Sequence, residues 1–121
     1  MTTEELKNRT KAFAYRVIRL YRTLPKTTEA EVLGKQVLRS ATSVAANYRA
    51  TTRARSRAEF IAKLGVVVEE IDETLFWLEC ISDNVIVHPT LMAQLIKGSN
   101  ELVAIFVAAR KSSRSASESK S

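Results

Sequence analysis

Apolar residues return at helical spacing through the second half of the chain, and this periodicity limits the possible folds more than any other feature. Seven of them recur at steps of three or four, which places them on one stripe of a helix. They are Phe60, Leu64, Val67, Ile71, Leu75, Leu78 and Ile81. Only three glycines and two prolines occur in 121 residues, so few turns are available to separate strands. The pattern predicts an all-α fold.

Similar stripes predict three more helices. The expected spans are about 4–24, 28–53, 57–82 and 89–110. Capping boxes, in which a Thr or Ser and a Glu three residues later satisfy free backbone N–H groups, are expected at Thr2, Thr28 and Ser56. The inner stripe of the fourth helix is expected to be Leu91, Leu95, Leu102, Ile105 and Phe106.

Short links join these helices, and short links require neighbouring helices to run antiparallel. Residues 1–110 are therefore predicted to form one up-down-up-down four-helix bundle. Residues 111–121 consist of Ser and charged residues, with Ala116 as the apolar exception, and are expected to form a disordered tail.

The charge is unevenly distributed along the chain. Residues 1–63 hold fourteen basic and five acidic residues, a net +9, whereas residues 64–121 hold five and eight, a net −3. Such asymmetry indicates either an anionic partner or complementary helices that pair with each other.

Three sequence features indicate the cellular compartment of the protein. Cys80 is the single cysteine, which excludes an internal disulfide and favours a reducing compartment. The polar, acidic N-terminus does not resemble a signal peptide. No apolar run approaches the about 20 residues that a membrane span needs. A soluble cytoplasmic protein without membrane contact is expected.

The predicted third and fourth helices carry more apolar surface than one stripe can hide. The extra residues are Ile61, Val66, Val68, Phe76, Trp77, Val103 and Val107. Large exposed apolar patches usually mark an interface. Self-association is the favoured interpretation, and a wide stripe in a crowded core is the alternative.

The second helix instead carries small and polar residues where a plain bundle would place Leu. A buried hydroxyl or amide must find a partner or incur a desolvation cost of about 1–3 kcal/mol. A polar network that fixes helix register or assembly is therefore predicted, and a ligand or catalytic site is the alternative. Its members are Arg39, Ser40, Ser43, Asn47, Glu69, Glu70 and Glu73.

Basic residues form two further groups, one along the first helix and one around the second link. The possible nucleic-acid contacts are Arg16, Arg19, Arg22, Arg49, Arg53, Arg55 and Arg57. Arginine suits bidentate phosphate contacts. Phosphate-led binding to RNA or DNA and a solvated or ion-paired face are both compatible with this pattern.

Catalytic and metal-binding patterns are weak. Di-metal bundles use Glu-x-x-His pairs, but the single histidine, His88, lies beside Pro89 in a predicted loop. Cys80 has no second cysteine or nearby histidine to activate it. Gly34, Gly65 and Gly98 are isolated within helices and form no phosphate-binding loop. No enzyme activity, cofactor, metal or small-molecule substrate is predicted.

Several segments together resemble a known family. They are the run from Gln36 to Arg49, the Ser-Arg-x-Glu-Phe segment from Ser56, and residues 69–78. The chain resembles bacterial four-helix-bundle proteins related to those encoded in intervening sequences of 23S ribosomal RNA genes. Its fold is also similar to that of accessory proteins of diversity-generating retroelements. The resemblance implies a non-enzymatic bundle that assembles into a pentameric ring. The alternative function is an RNA- or DNA-binding accessory factor.

Overall fold

Four helices and no strands make up the part of the chain that the computed structural model describes, residues 1–119. The helices are α1 (Thr3–Thr23), α2 (Thr28–Thr51), α3 (Arg57–Asp83) and α4 (Pro89–Ser119). Each packs against its neighbour in sequence, and α1 also meets α4. The diagonal helices α2 and α4 meet only through side chains in the core, where the Tyr48 and Phe106 ring centroids lie 5.2 Å apart. This closed cycle of contacts makes a four-helix bundle, and the predicted all-α class is confirmed.

The helix starts follow the capping chemistry, with one shift. Thr2 and Glu5 form the expected reciprocal capping box at α1, and the Ser56 side chain accepts from the Glu59 N–H at α3. At α2 the cap is Thr27, whose hydroxyl accepts from the Ala30 N–H, so the predicted cap at Thr28 is wrong by one residue. Two adjacent threonines offer the same hydroxyl, and the sequence pattern cannot separate them.

The core is one apolar cluster to which all four helices contribute. Its fully enclosed members include Val17, Val44, Ile71 and Leu78. On α4 the inner stripe begins at Met92, which is completely buried, while the predicted Leu91 is 65% exposed. The stripe then follows Leu95, Leu102 and Phe106 as expected. Leu91 and Met92 lie four and three residues before Leu95, so helical spacing alone allows either of them to begin the stripe.

The link between α3 and α4 closes one end of the bundle with part of its apolar run. Val87 is buried and Ile86 is half-buried against the core, whereas Val85 is 65% exposed. Val85 has a φ of 53°. Its N–H bonds to the Ser82 carbonyl and the Ile86 N–H to the Ile81 carbonyl, the two bonds of a Schellman end.

Helix α4 differs from the sequence prediction in two further ways. It continues through Lys111 to Ser119, where a disordered tail was expected to begin, and residues 120–121 of that tail lie outside the described residues. Between Pro89 and Ala116 it is also long and apolar enough to cross a membrane, unlike the expectation that no segment would be. Core helices of globular proteins can meet the same criterion, and here Met92, Leu102 and Phe106 face the bundle core.

Candidate functional site

A buried pair of hydroxyls joins α2 to α3. Ser40 Oγ and Thr74 Oγ1 lie 2.9 Å apart and hydrogen bond, and both residues are fully buried. Thr74 Oγ1 also lies 2.7 Å from the Glu70 carbonyl oxygen, to which it can donate. Sequence reasoning named Ser40 but missed Thr74, although Thr74 lies three residues after Ile71 on the inner stripe of α3. The pair satisfies two polar groups within the core.

Beside this pair, Arg39 on α2 reaches two carboxylates on α3. Its Nη1 lies 3.5 Å from Glu70 Oε2 and its Nη2 lies 3.8 Å from Glu73 Oε1. Burial of the Glu70 side chain, which is only 18% exposed, raises the pKa of its carboxyl, and the neighbouring Glu73 adds to the increase while Arg39 opposes it. The structure thus brings together Arg39, Glu70 and Glu73 from the predicted network.

The remaining members of the predicted network lie apart from it. Asn47 Nδ2 donates to the Ser43 carbonyl oxygen at 2.8 Å, one turn back on the same helix, and both residues are half-buried. A short amide side chain satisfies itself this way without reaching α3. Glu69 is exposed on the outer face of α3. The network across α2 and α3 is therefore smaller than the sequence pattern suggested.

A groove of about 480 Å³ runs between α1 and α2. Small and apolar side chains line it, including Ala14, Ile18, Ala45 and Ala46. Basic side chains line it as well, namely Lys7, Lys11, Arg49 and Arg53, with Glu4 as the one acid. The Lys11 ammonium lies 5.8 Å from the centre of the Tyr15 ring, within range of a cation–π contact. We call this feature the basic groove.

The other candidate arginines do not form one continuous surface. Arg16 is half-buried beside Phe13 and Gly98, in a depression between α1 and α4. Arg19 and Arg22 line a shallow depression that adjoins the basic groove, since Tyr15 and Ile18 line both.

Around the second link, Arg53 turns to the basic groove while its neighbours take other positions. The Arg55 side chain is 90% exposed, with its Nε 3.7 Å from Glu59 Oε2. Arg57 is exposed, and its Nη1 donates to the Ser113 carbonyl oxygen at 3.5 Å. The two predicted basic groups are thus spread over several faces of the bundle.

Part of the surplus apolar surface of α3 and α4 faces solvent. Phe76 is 56% exposed, Val107 is 46% exposed and Val66 is 41% exposed. Phe76 packs edge-on against the Trp77 ring, with 5.0 Å between ring centroids. Four of the named residues, by contrast, are half-buried and pack partly within their own chain. These are Ile61, Val68, Trp77 and Val103.

Two residues have side chains that can act in catalysis or metal binding, namely His88 in the link between α3 and α4 and Cys80 on α3. His88 Nδ1 accepts from the Thr90 N–H at 3.2 Å and so helps to cap α4. Cys80 is a half-buried free thiol. Across the described part of the chain, no three His, Cys, Asp or Glu residues lie close enough together to hold a metal ion.

Comparison with known proteins identifies the family. The sequence model of the 23S rRNA-intervening sequence protein family matches residues 3–108. The chain belongs to this family. That assignment confirms the resemblance carried by the α2 and α3 motifs.

A solved relative has the same fold. It is a protein of unknown function from the S23 ribosomal protein family of Bacteroides thetaiotaomicron, 32% identical in sequence, with a TM-score of 0.83. The match covers 92% of this chain and 99% of that one. No functionally curated protein matches. The comparisons therefore define the family and the fold without assigning a molecular function.

Proposed function

We propose that this protein is a non-enzymatic, antiparallel up-down-up-down bundle that works as a symmetric homo-oligomer in the cytoplasm. The subunit number implied by the family resemblance is five, arranged as a ring. In this proposal the bundle supplies a rigid unit, and the assembled surface, with every charge repeated in each subunit, carries the cellular role.

One observation carries the proposal: Phe76 and Val66 are half-exposed on a long, otherwise well-packed helix. They are ten residues apart and so lie about 80° apart around α3, within the width of one amphipathic stripe. Isolated apolar residues on a surface are ordinary, but an aromatic ring and an aliphatic side chain aligned along one helix face are typical of an interface core.

Sedimentation equilibrium or light scattering at micromolar concentration tests the proposal directly. We expect a single species several times the mass of one chain, and a monomer would overturn the proposal. The variant Phe76→Ser should weaken association at least about tenfold, because loss of a buried aromatic anchor costs about 2 kcal/mol or more. Leu91→Ser is the matched control, since Leu91 is 65% exposed but lies on another helix.

A second candidate function is RNA or DNA binding, which the exposed arginines around the second link favour. Arg53, Arg55 and Arg57 are all exposed within five residues of one another. Phosphate neutralisation by such a cluster requires no base-reading groups and gives affinity that falls steeply with salt. Repetition of the cluster in an oligomer would raise avidity.

Titration of structured RNA and duplex DNA over a series of salt concentrations tests this second candidate. We expect binding that weakens as salt rises, and a further loss on charge reversal at Arg53 and Arg55. Lys35→Glu is the control, because Lys35 carries the same charge but lies on α2 in an ion pair with Glu31. Undetectable binding at low salt would exclude this function.

A further inference from the structure

The outer face of α3 carries both acidic and apolar side chains. From Leu64 to Asp83 the helix contains six acidic residues and no basic one. Val66, Glu69, Glu73 and Phe76 follow one another at steps of three, four and three, so they form one line along the helix. All four are exposed. We call this line the acidic strip.

Little in its own chain neutralises the acidic strip. Arg39 reaches Glu73 from α2, but among the described residues Glu69 has no cation within ion-pair distance. Negative charges aligned on one helix repel one another by a few tenths of a kcal/mol per pair. A cationic partner would relieve this repulsion and cover Phe76 at the same time.

The basic groove has the opposite character. Over the described residues, Arg49 and Arg53 have no carboxylate within ion-pair distance, while Lys7 pairs with Glu4 at 3.2 Å. The floor contains Ala14, Ala45 and other small residues, so the backbone of a docked helix could approach closely. Positive charge at the edge and small apolar groups below it are the complement of the acidic strip.

We propose that the acidic strip of one copy of this chain docks into the basic groove of another copy. This inference rests on the proposed function and adds the identity of the two contacting surfaces. Glu69 and Glu73 face the cations of the groove, and Phe76 lies over its small-residue floor. The strip cannot reach the groove of its own chain, because the groove lies between α1 and α2, whereas the strip is on the exposed face of α3, whose backbone makes no close approach to α1.

The pairing also explains the charge segregation in the sequence. The groove belongs to the half of the chain with net charge +9 and the strip to the half with net charge −3. Two different patches in contact make a heterologous interface, which generates a closed ring if the rotation between copies closes.

A charge-swap cycle tests the docking, with association measured by sedimentation. Glu69→Arg and Arg49→Glu should each weaken association about tenfold or more, because each places like charges across the interface. The chain that carries both changes should regain at least part of the lost affinity, since an acidic groove then meets a basic strip. Equimolar mixing of the two single variants should also restore part of the association, because unlike neighbours have complementary charges, although a ring of five must keep at least one pair of like neighbours.

Two matched controls have the same change in net charge outside the two surfaces. Glu29→Arg alters an exposed acid at the start of α2, and Lys97→Glu alters an exposed lysine of α4, and neither residue lines the strip or the groove. Both should associate like the natural chain. Far-UV circular dichroism should show unchanged helix content in every variant, because all these side chains are at the surface.

Each outcome separates this inference from the proposed function. A monomeric natural chain overturns both. An oligomer that tolerates Glu69→Arg and Arg49→Glu, or single variants that no mixture or double variant rescues, overturns the docking and leaves self-association standing. If Arg49→Glu keeps the oligomer but loses RNA binding, the groove is a nucleic-acid site and the docking is wrong.

Discussion

Val85 is a β-branched residue in the left-handed conformation that ends α3, with φ at 53°. This conformation is unfavourable by about 1–2 kcal/mol for a residue with a Cβ and is ordinary for glycine. The side chain is 65% exposed, so its removal forfeits little burial. We expect Val85→Gly to raise the free energy of unfolding by about 1 kcal/mol.

Urea unfolding followed by circular dichroism, at one fixed protein concentration, measures this gain. Val85→Ala is the control, since it removes the branch but keeps the Cβ, and it should gain less than the glycine variant. A glycine variant that is less stable than the natural chain would show that Val85 makes a contact that offsets its backbone strain.

Glu70 makes stability depend on pH in an unusual direction. Burial and the nearby Glu73 raise the pKa of its carboxyl, so the folded state holds this proton more tightly than the unfolded state. Its contribution to stability is therefore largest at low pH and is lost as pH rises through the folded pKa. Arg39, facing it from α2, reduces this effect without removing it.

The variant Glu70→Gln carries no titrating group at this position. Its stability relative to the natural chain should therefore rise between about pH 4 and pH 7 in denaturant unfolding. Glu79→Gln makes the same charge change at an exposed position of α3 and should not show the same trend. A flat difference for Glu70→Gln across this range would contradict the assignment.

At the scale of the residue, the sequence predicted those contacts that depend only on the helical spacing of a single side chain. Ser40 and Arg39 lie on the face of α2 turned to α3, and helical spacing was enough to place them. Asn47 was assigned to the same network because its spacing fits, but its amide bonds to the Ser43 carbonyl instead. Periodicity gives the direction of a side chain and leaves open which of several acceptors it meets.

At the scale of the helix, two glycines differ in how closely other side chains approach them. A Cβ added at Gly34 would lie 2.6 Å from Leu24 Cδ1 and 3.0 Å from Tyr21 Cδ2, so this glycine allows the end of α1 to pack on α2. A Cβ at Gly98 would come no nearer than 3.8 Å to Phe13 or Arg16, an ordinary contact distance. Their positions in the sequence, each isolated within a helix, do not separate these two cases.

Substitution by alanine should consequently have opposite effects at the two sites. Gly34→Ala should lower the free energy of unfolding by about 1–2 kcal/mol, because Leu24 and Tyr21 must move. Gly98→Ala should raise it by about 0.5–1 kcal/mol through helix propensity alone. Thermal and urea unfolding of the pair measure both changes, and equal effects at the two sites would contradict the packing described.

Element boundaries were predictable where a unique chemical signal marks them. Thr2 with Glu5, Ser56, and Pro89 at the start of α4 each mark a helix end correctly. The cap at Thr27 and the extension of α4 past Arg110 were missed. Adjacent threonines duplicate the capping signal, and a run of Ser and charged residues contains no residue that forbids a helix.

At the scale of the whole molecule, the family and the four-helix fold followed from the residues of α2 and α3, since both depend on patterns within one chain. The basic groove did not, because its walls come from helices far apart in sequence. Lys7 and Arg49 are separated by forty-two positions but line the same groove. No local spacing rule relates them, and only the packing of α1 on α2 brings them together.

The response of assembly to salt follows from the two proposed surfaces. Ion pairs between exposed groups are screened within about 10 Å at 0.1 M salt, whereas the contact of Phe76 with small apolar residues is not. We expect the association constant to fall as sodium chloride is raised and then to level off at the apolar remainder. Nucleic-acid binding should instead keep falling on a logarithmic scale, because each phosphate contact releases counterions.

Sedimentation over a salt series measures this dependence, and two variants separate its charged contribution from its apolar contribution. Glu69→Gln should lower association at low salt and flatten the initial fall, because it removes one charged contact. Phe76→Ser should lower the level reached at high salt, because it removes the unscreened contact. An association constant that rises steadily with salt would mean that apolar surface alone joins the copies, and the complementary charges of α3 and the groove would then play no part in assembly.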